Sequence, residues 1–277
     1  MTVCLAALCV DDDKVPFAVV AADRMVTLGG FMEFEHAIPK MAEPSPAAVV
    51  MIAGDTLVGT RLAVEVARTT AGTQPRTADM AAALSQHYEA VRRESMEQEL
   101  LRPRGLDLTT FYANHANLSP QITMMLDQQM AQHNLGVELL LAGVDDNGGH
   151  VFTIHNPGGP ELQHDVIGYA ATGSGAIHAV QSMVGFGHHA GASAKDTLFR
   201  VYASKRRAEV APGVGHDTDL GVVSSTGTRW LDSDQIGQLS AMYESFEDST
   251  QESLTEKLAE LTLEVLDADE EDRNDAN

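Results

Sequence analysis

Two stretches near the N-terminus limit what this chain can become. From Thr2 to Val10 and again from Pro16 to Ala22 the residues are β-branched, small or otherwise apolar, and the charged turn Asp11-Asp12-Asp13-Lys14 stands between them. Short uncharged runs of this kind read as strands buried on both faces, and the turn makes them a hairpin. A sheet built on such strands has to be covered on either side.

Residues beyond the hairpin supply the cover. Ala47 to Ala53 is another apolar run, stopped by Gly54-Asp55, after which Leu57, Leu62 and Val66 take up helical spacing. From Ala78 to about Gln132 the pattern is helical in three pieces, interrupted at Pro103-Arg104-Gly105 and near Pro120. Three strands are expected next: Gly136 to Val144, Gly149 to Asn156 after the turn Asp145-Asp146-Asn147-Gly148, and His164 to Ala171, the first two as a hairpin. Beyond Gly173-Ser174-Gly175 come helices over Ala176 to Met183 and Ala194 to Val210, the second with Ser193 as N-cap, then a strand from Asp219 to Ser225. The C-terminal part reads as helices near Asp234 to Phe246 and Ser249 to Leu266. Strands come in clusters with helix pairs between them, which is not the alternation of a parallel βαβ series. The order fits an α+β fold of two packed antiparallel sheets with helices on both outer faces. Residues 1–266 read as one domain with a helical insertion over about 92–133, and 267–277 as an acidic, disordered tail.

Forty acidic against eighteen basic residues give a formal charge of −22. That balance excludes nucleic acid and anionic membranes as expected partners, since phosphate binding relies on Lys and Arg. No run approaches a membrane span, and no basic segment precedes Val3 to Val10 as in a signal peptide, so a cytoplasmic protein is expected. Cys4 and Cys9 stand an odd number of residues apart on one strand, facing opposite ways, and are expected to be unbridged. His188-His189 and His216 with Asp217 and Asp219 lack zinc-site spacing, so no metal and no cofactor is expected. Gly173-Ser174-Gly175 lacks the Lys that a phosphate loop needs, and Met124, Met125 and Met130 read as core or interface.

The candidate chemistry starts at Thr2. Removal of Met1 before a small residue would leave a threonine whose own α-amine, with an ordinary pKa near 8, can take the hydroxyl proton. Asp23-Arg24 closes the second strand and Lys40 precedes a short apolar segment. A buried Lys beside the hydroxyl would favour its deprotonated form, and an Asp would hold that Lys oriented and charged. At Gly54 a backbone N–H could meet an oxyanion.

With these residues in this order, the chain resembles the proteasome β-type subunits of the N-terminal nucleophile hydrolases, including the bacterial proteasome-like proteins. The likeness runs through Thr2 opening the first strand, Asp23-Arg24, Lys40, Ala53-Gly54-Asp55 and the Lys-to-Gly interval. It continues through the hairpin Leu139 to Asp145 with Val151 to Asn156 and the turn Ala171-Thr172-Gly173-Ser174-Gly175, covering roughly residues 2–72 and 136–225. The resemblance implies a four-layer αββα sandwich, with Thr2 as nucleophile, Asp23 and Lys40 as its electrostatic partners, Gly54 as oxyanion donor and Ser174 near the Thr2 amine. Two features depart from it. Where the family offers an Asp and then a Ser after the second helix, this chain has Glu209, which could replace the acid, followed by Val210-Ala211-Pro212-Gly213 without a serine. The insertion at 92–133 is the other.

The function implied is that of a threonine peptidase or amidohydrolase that cleaves a peptide or small amide through an ester on Thr2, working as a homo-oligomer. Substrate, ring size and any regulatory ATPase partner are not legible. The alternatives are a catalytically weak or inactive assembly protein on the same fold, or an acyl transferase or ligase in which an amine resolves the acyl-enzyme.

Overall fold

The structure, a computed structural model, describes residues 2–28, 32–37, 39–72, 75–159 and 161–261. The N-terminal hairpin is β1 (Cys4–Val10) and β2 (Pro16–Asp23), closed by Asp11, whose carboxylate accepts the N–H groups of Asp13 and Val15 while Lys14 takes a positive φ of 65°. A two-stranded ribbon comes next, β3 (Met25–Leu28) with β4 (Met32–Glu35), and then β5 (Met41–Ser45) and β6 (Ala48–Gly54). Helices α1 (Thr56–Thr69), α2 (Thr77–Met96), α3 (Leu108–Asn114) and α4 (Pro120–Gln132) succeed them. Beyond α4 lie β7 (Val137–Asp145), β8 (Gly148–Ile154), β9 (Leu162–Gln163) and β10 (Tyr169–Thr172), helices α5 (Ala176–Gly185) and α6 (Ala194–Ala208), β11 (Thr218–Ser224), β12 (Gly227–Trp230) and α7 (Ser233–Ala259). The chain forms two compact units, divided after Asp232, with α7 making up the described part of the second. Among the described residues no helix is long and apolar enough to cross a membrane.

The protein is α+β, with its sheets antiparallel. One five-stranded sheet runs β10-β1-β2-β11-β12 and the other β5-β6-β7-β8-β9. The period-2 alternation of a strand explains how they are buried. Cys4, Ala6 and Leu8 of β1 and Ala18, Val20 and Ala22 of β2 meet Val49, Met51 and Ala53 of β6 and Leu140, Ala142 and Val144 of β7, so each sheet gives one face to the other. The alternate residues of the second sheet, among them Val50, Ile52, Leu139 and Leu141, pack under Leu62 and Val66 of α1 and Leu84 and Tyr88 of α2. On the first sheet, α6 packs against β1 and β2 and α5 against β1 and β10. Both cysteines are buried and free, Cys4 between the sheets and Cys9 on the face toward Thr197 of α6.

The insertion has a core of its own, Met96, Leu101, Phe111, Leu126 and Met130. Its ends are tied together by Arg92, whose guanidinium donates to the carbonyls of His133 at 2.9 Å and Met130 at 3.0 Å.

Three sequence expectations are corrected. The strand expected over His164 to Ala171 begins only at Tyr169, as β10 paired with β1, while His164 to Gly168 is a turn that follows β9 on the edge of the other sheet. The Asp165 carboxylate pins that turn by accepting Val151 N–H, while Val166 stands fully exposed. The helices expected over Asp234 to Phe246 and Ser249 to Leu266 form one helix as far as Ala259, because Ser249 and Thr250 donate their hydroxyls back to the Phe246 carbonyl instead of capping a new helix. Short strands β3, β4, β5, β9 and β12 went unread. The expected tail, 267–277, lies outside the described residues.

Candidate active site

The register of the first sheet brings four of the expected residues together. Because Cys4 pairs with Ala22 on one side of β1 and with Thr172 on the other, Thr2 is flanked by Asp23 at the end of β2 and by the Gly173-Ser174 turn after β10. Lys40 stands just ahead of β5, its carbonyl accepting Ile52 N–H at 2.9 Å, and so reaches the same point from the second sheet. Thr2 is 1 % exposed, Asp23 0 % and Lys40 5 %.

The contacts among them are direct. Lys40 Nζ donates to Thr2 Oγ1 at 2.7 Å and to the two Asp23 carboxylate oxygens at 3.3 and 3.2 Å. The Thr2 hydroxyl donates to Asp23 Oδ1. A carboxylate this deeply buried needs other donors, and it has them: Val3 N–H at 2.9 Å, Met25 N–H at 2.9 Å and Gly215 N–H at 3.0 Å. Arg24, next in the sequence, turns away to a side-chain pair with Asp219. On the other flank, Ser174 Oγ accepts Thr2 N–H at 3.1 Å and Gly175 N–H donates to the Thr2 carbonyl at 3.1 Å. Gly173 makes this approach possible: its φ is +91°, and a Cβ there would fall 2.3 Å from the Thr2 carbonyl oxygen.

Gly54 ends β6 at a φ of +93°, and a Cβ would collide with the Gly136 carbonyl at 2.1 Å. Asp55 then caps α1, accepting the N–H groups of Leu57 and Val58. Gly54, Ser174 and Thr2 line one cavity of about 660 Å³, together with Glu138, Asn134 and Asn156.

Glu209 is placed elsewhere. It makes no contact with Thr2 among those formed by the described residues. One of its oxygens accepts Lys205 Nζ at 2.8 Å and the other meets His216 Nδ1 at 2.8 Å. Lys205, fully buried, also donates to the carbonyls of Gly215 and His216 at 2.8 Å each, and it is the Gly215 N–H that reaches Asp23. Burial pushes the Lys205 ammonium below the usual lysine range, against the pull of Glu209 and Asp23. The serine-free turn after Glu209 contributes a carbonyl: Ser174 Oγ donates to Pro212 O at 3.3 Å. Lys205 and Gly215 were missed from sequence. The available signal was a charge at a core position of α6, in line with buried Thr197 and Val201, followed by a Glu four residues on.

Cys4 stands near this cluster, but burial, reinforced by the Asp23 charge, pushes its thiol up to about 12, so it offers no thiolate. Thr2 Oγ1, held between a buried ammonium and a buried carboxylate at the edge of a cavity, is the group equipped for nucleophilic chemistry.

No protein-family model and no curated protein matches the chain.

Proposed function

We propose that the protein is a threonine-nucleophile hydrolase that cleaves peptide or amide bonds through an ester on Thr2, on the four-layer αββα fold of the proteasome β-type subunits. The observation that carries this reading is the 2.7 Å contact of Lys40 Nζ with Thr2 Oγ1, backed by Asp23. Two facing sheets with helices packed on the other face of each support the fold assignment. Location in the cytoplasm and a homo-oligomeric assembly belong to the same reading.

Met1 removal converts the Thr2 N–H into an amine beside Ser174 Oγ. The amine, directly or through a water, takes the hydroxyl proton as Oγ1 bonds to the substrate carbonyl carbon, and the Lys40 ammonium stabilises the negative charge on Oγ1 while it develops. The carbonyl oxygen becomes an oxyanion met by the Gly54 N–H. Collapse breaks the C–N bond, the leaving nitrogen takes the proton from the α-ammonium, and an ester on Thr2 remains. Water, deprotonated by the same amine, then attacks the ester, releasing the acid and restoring the hydroxyl.

An epoxyketone or β-lactone read out by intact mass tests this. The expected species has lost Met1 and carries one probe molecule, and Thr2→Ala carries none. Fully processed protein without an adduct, together with a Thr2→Ala variant that keeps every activity, defeats the proposal.

A further inference from the structure

The cavity beside Thr2 carries polar groups that the acyl-transfer steps leave unused. Asn134 commits Oδ1 to the Gly136 N–H at 2.8 Å, and Asn156 commits Oδ1 to Arg92 Nε at 3.0 Å. What each has left is its NH2 group, a donor without a partner among the described residues. Glu138 gives Oε2 to the Gly173 N–H at 3.1 Å, and its other oxygen has neither a hydrogen-bond donor nor a cation among the described residues. The register sets Glu138 opposite Ala53 and therefore beside Gly54, while the Gly173 bond ties it to the turn that holds Thr2. A carboxylate thus faces the reaction space without an ion pair among the described residues, in a cavity that His155 also lines and beside which the Lys40 ammonium is committed to Thr2 and Asp23.

We propose that this cavity is a subsite for a cationic group, a primary ammonium or a guanidinium carried by the amide substrate, selected by Glu138. A bound cation gives the carboxylate the charge-assisted hydrogen bonds it lacks. An apolar group would strip water from it and return nothing, and an anionic one would meet both Glu138 and the −22 charge of the chain. The free NH2 groups of Asn134 and Asn156 are matched to carbonyl oxygens of the same molecule. A volume of about 660 Å³ takes a ligand of dipeptide size.

The proposal rests on the hydrolase reading for its turnover measurement and stands apart from it in its binding measurement. Acetyl-dipeptide coumarylamides with Lys, Leu or Glu at each acyl position are compared on mature protein and on Glu138→Gln, which keeps an acceptor for Gly173 N–H and removes the charge. The expected result is kcat/KM about tenfold higher for a Lys substrate than for its Leu counterpart, with Glu lowest, and loss of that preference in Glu138→Gln. In the Thr2→Ala protein, lysinamide is expected to raise the melting temperature and leucinamide not to, with the lysinamide shift gone in the Thr2→Ala, Glu138→Gln double variant. Equal handling of Lys and Leu in either measurement overturns the subsite and leaves the hydrolase standing. An equal loss on both substrates in Glu138→Gln also overturns it, since Glu138 would then act on the nucleophile. Failure of Thr2 to label, with the lysinamide shift intact, removes the hydrolase and leaves the subsite.

Discussion

Asp23 has no exposure to solvent, and every hydrogen-bond partner that the described residues give its carboxylate is a donor: three backbone N–H groups, the Lys40 ammonium and the Thr2 hydroxyl. Replacing one oxygen by an NH2 group therefore does two harmful things, stranding a buried cation and setting donor against donor. Asp23→Asn is expected to lose about 3–5 kcal/mol in urea unfolding, the usual penalty for breaking a buried pair from one side. Lys40→Met separates chemistry from folding, because Asp23 keeps its backbone donors. That variant should stay folded while its rate of Thr2 labelling by a β-lactone falls about 100-fold or more, a loss typical of removing a preorganised electrostatic group. His188 carries a pH effect at the same scale. Its Nε2 bonds the Leu8 carbonyl at 3.0 Å, its Nδ1 has no partner among the described residues, and burial pulls its pKa down to about 4. The unfolded chain binds a proton on this ring below about pH 6.5, whereas the folded chain does so only near about pH 4. Stability from this group is therefore lost as pH falls through that window and levels off below it. His188→Gln, measured beside the parent by urea midpoints across the window, should lose less on acidification.

Among the elements, the turns between strand and helix decide whether the site exists. Gly173→Ala would put a methyl group 2.3 Å from the Thr2 carbonyl oxygen at a φ of +91°. About 1–3 kcal/mol of backbone strain is expected, together with loss of Thr2 labelling, as the turn carrying Ser174 moves off the nucleophile. The insertion makes the opposite prediction. Arg92→Met frees the carbonyls that tie its ends, so amide exchange in α4 should quicken while labelling at Thr2 persists, read by hydrogen exchange and by intact mass. Strands β1, β2, β6 and β7 were legible because each carries a long apolar run that has to be buried, and β8 because the turn Asp145-Asp146-Asn147-Gly148 sets it against β7. Strands β5 and β12 are short and carry Glu43, Pro44 and Arg229, and β5 has a register shift between Ala42 and Ser45, so neither shows a period. The division of β9 from β10 was invisible for another reason. It depends on Asp165 bonding Val151 fourteen residues away, a contact that leaves no local pattern. Thr2, Asp23, Lys40 and Ser174 could be read in order, but the role of Glu209 could not. It acts on Lys205 and His216, and only the folded turn at Gly215 connects that group to Asp23.

Over the whole molecule, the charge is unevenly distributed. Ser233 to Asn277 holds 14 acidic residues against 2 basic ones, so −12 of the −22 falls in the unit that contains α7. Within that helix Glu244, Asp248, Glu252 and Glu256 stand four apart, along one face, each a like-charge neighbour of the next. Each such pair costs an isolated helix about 0.2–0.5 kcal/mol, and no residue of α7 is buried to offset the repulsion. Salt relieves it, since the Debye length contracts from about 10 Å at 0.1 M to about 3 Å at 1 M, below the spacing of neighbouring acids on a helix face. Helicity measured by circular dichroism should therefore rise with sodium chloride, and the gain should disappear when Asp248 and Glu252 are both changed to Gln. The first unit has a different balance. Its apolar cores are closed and its buried charges are paired, so the Thr2 labelling rate should vary little over the same salt range while the helical signal of the C-terminal unit grows. A labelling rate that rose in step with helicity would mean instead that the acidic unit and the nucleophile share one folding equilibrium.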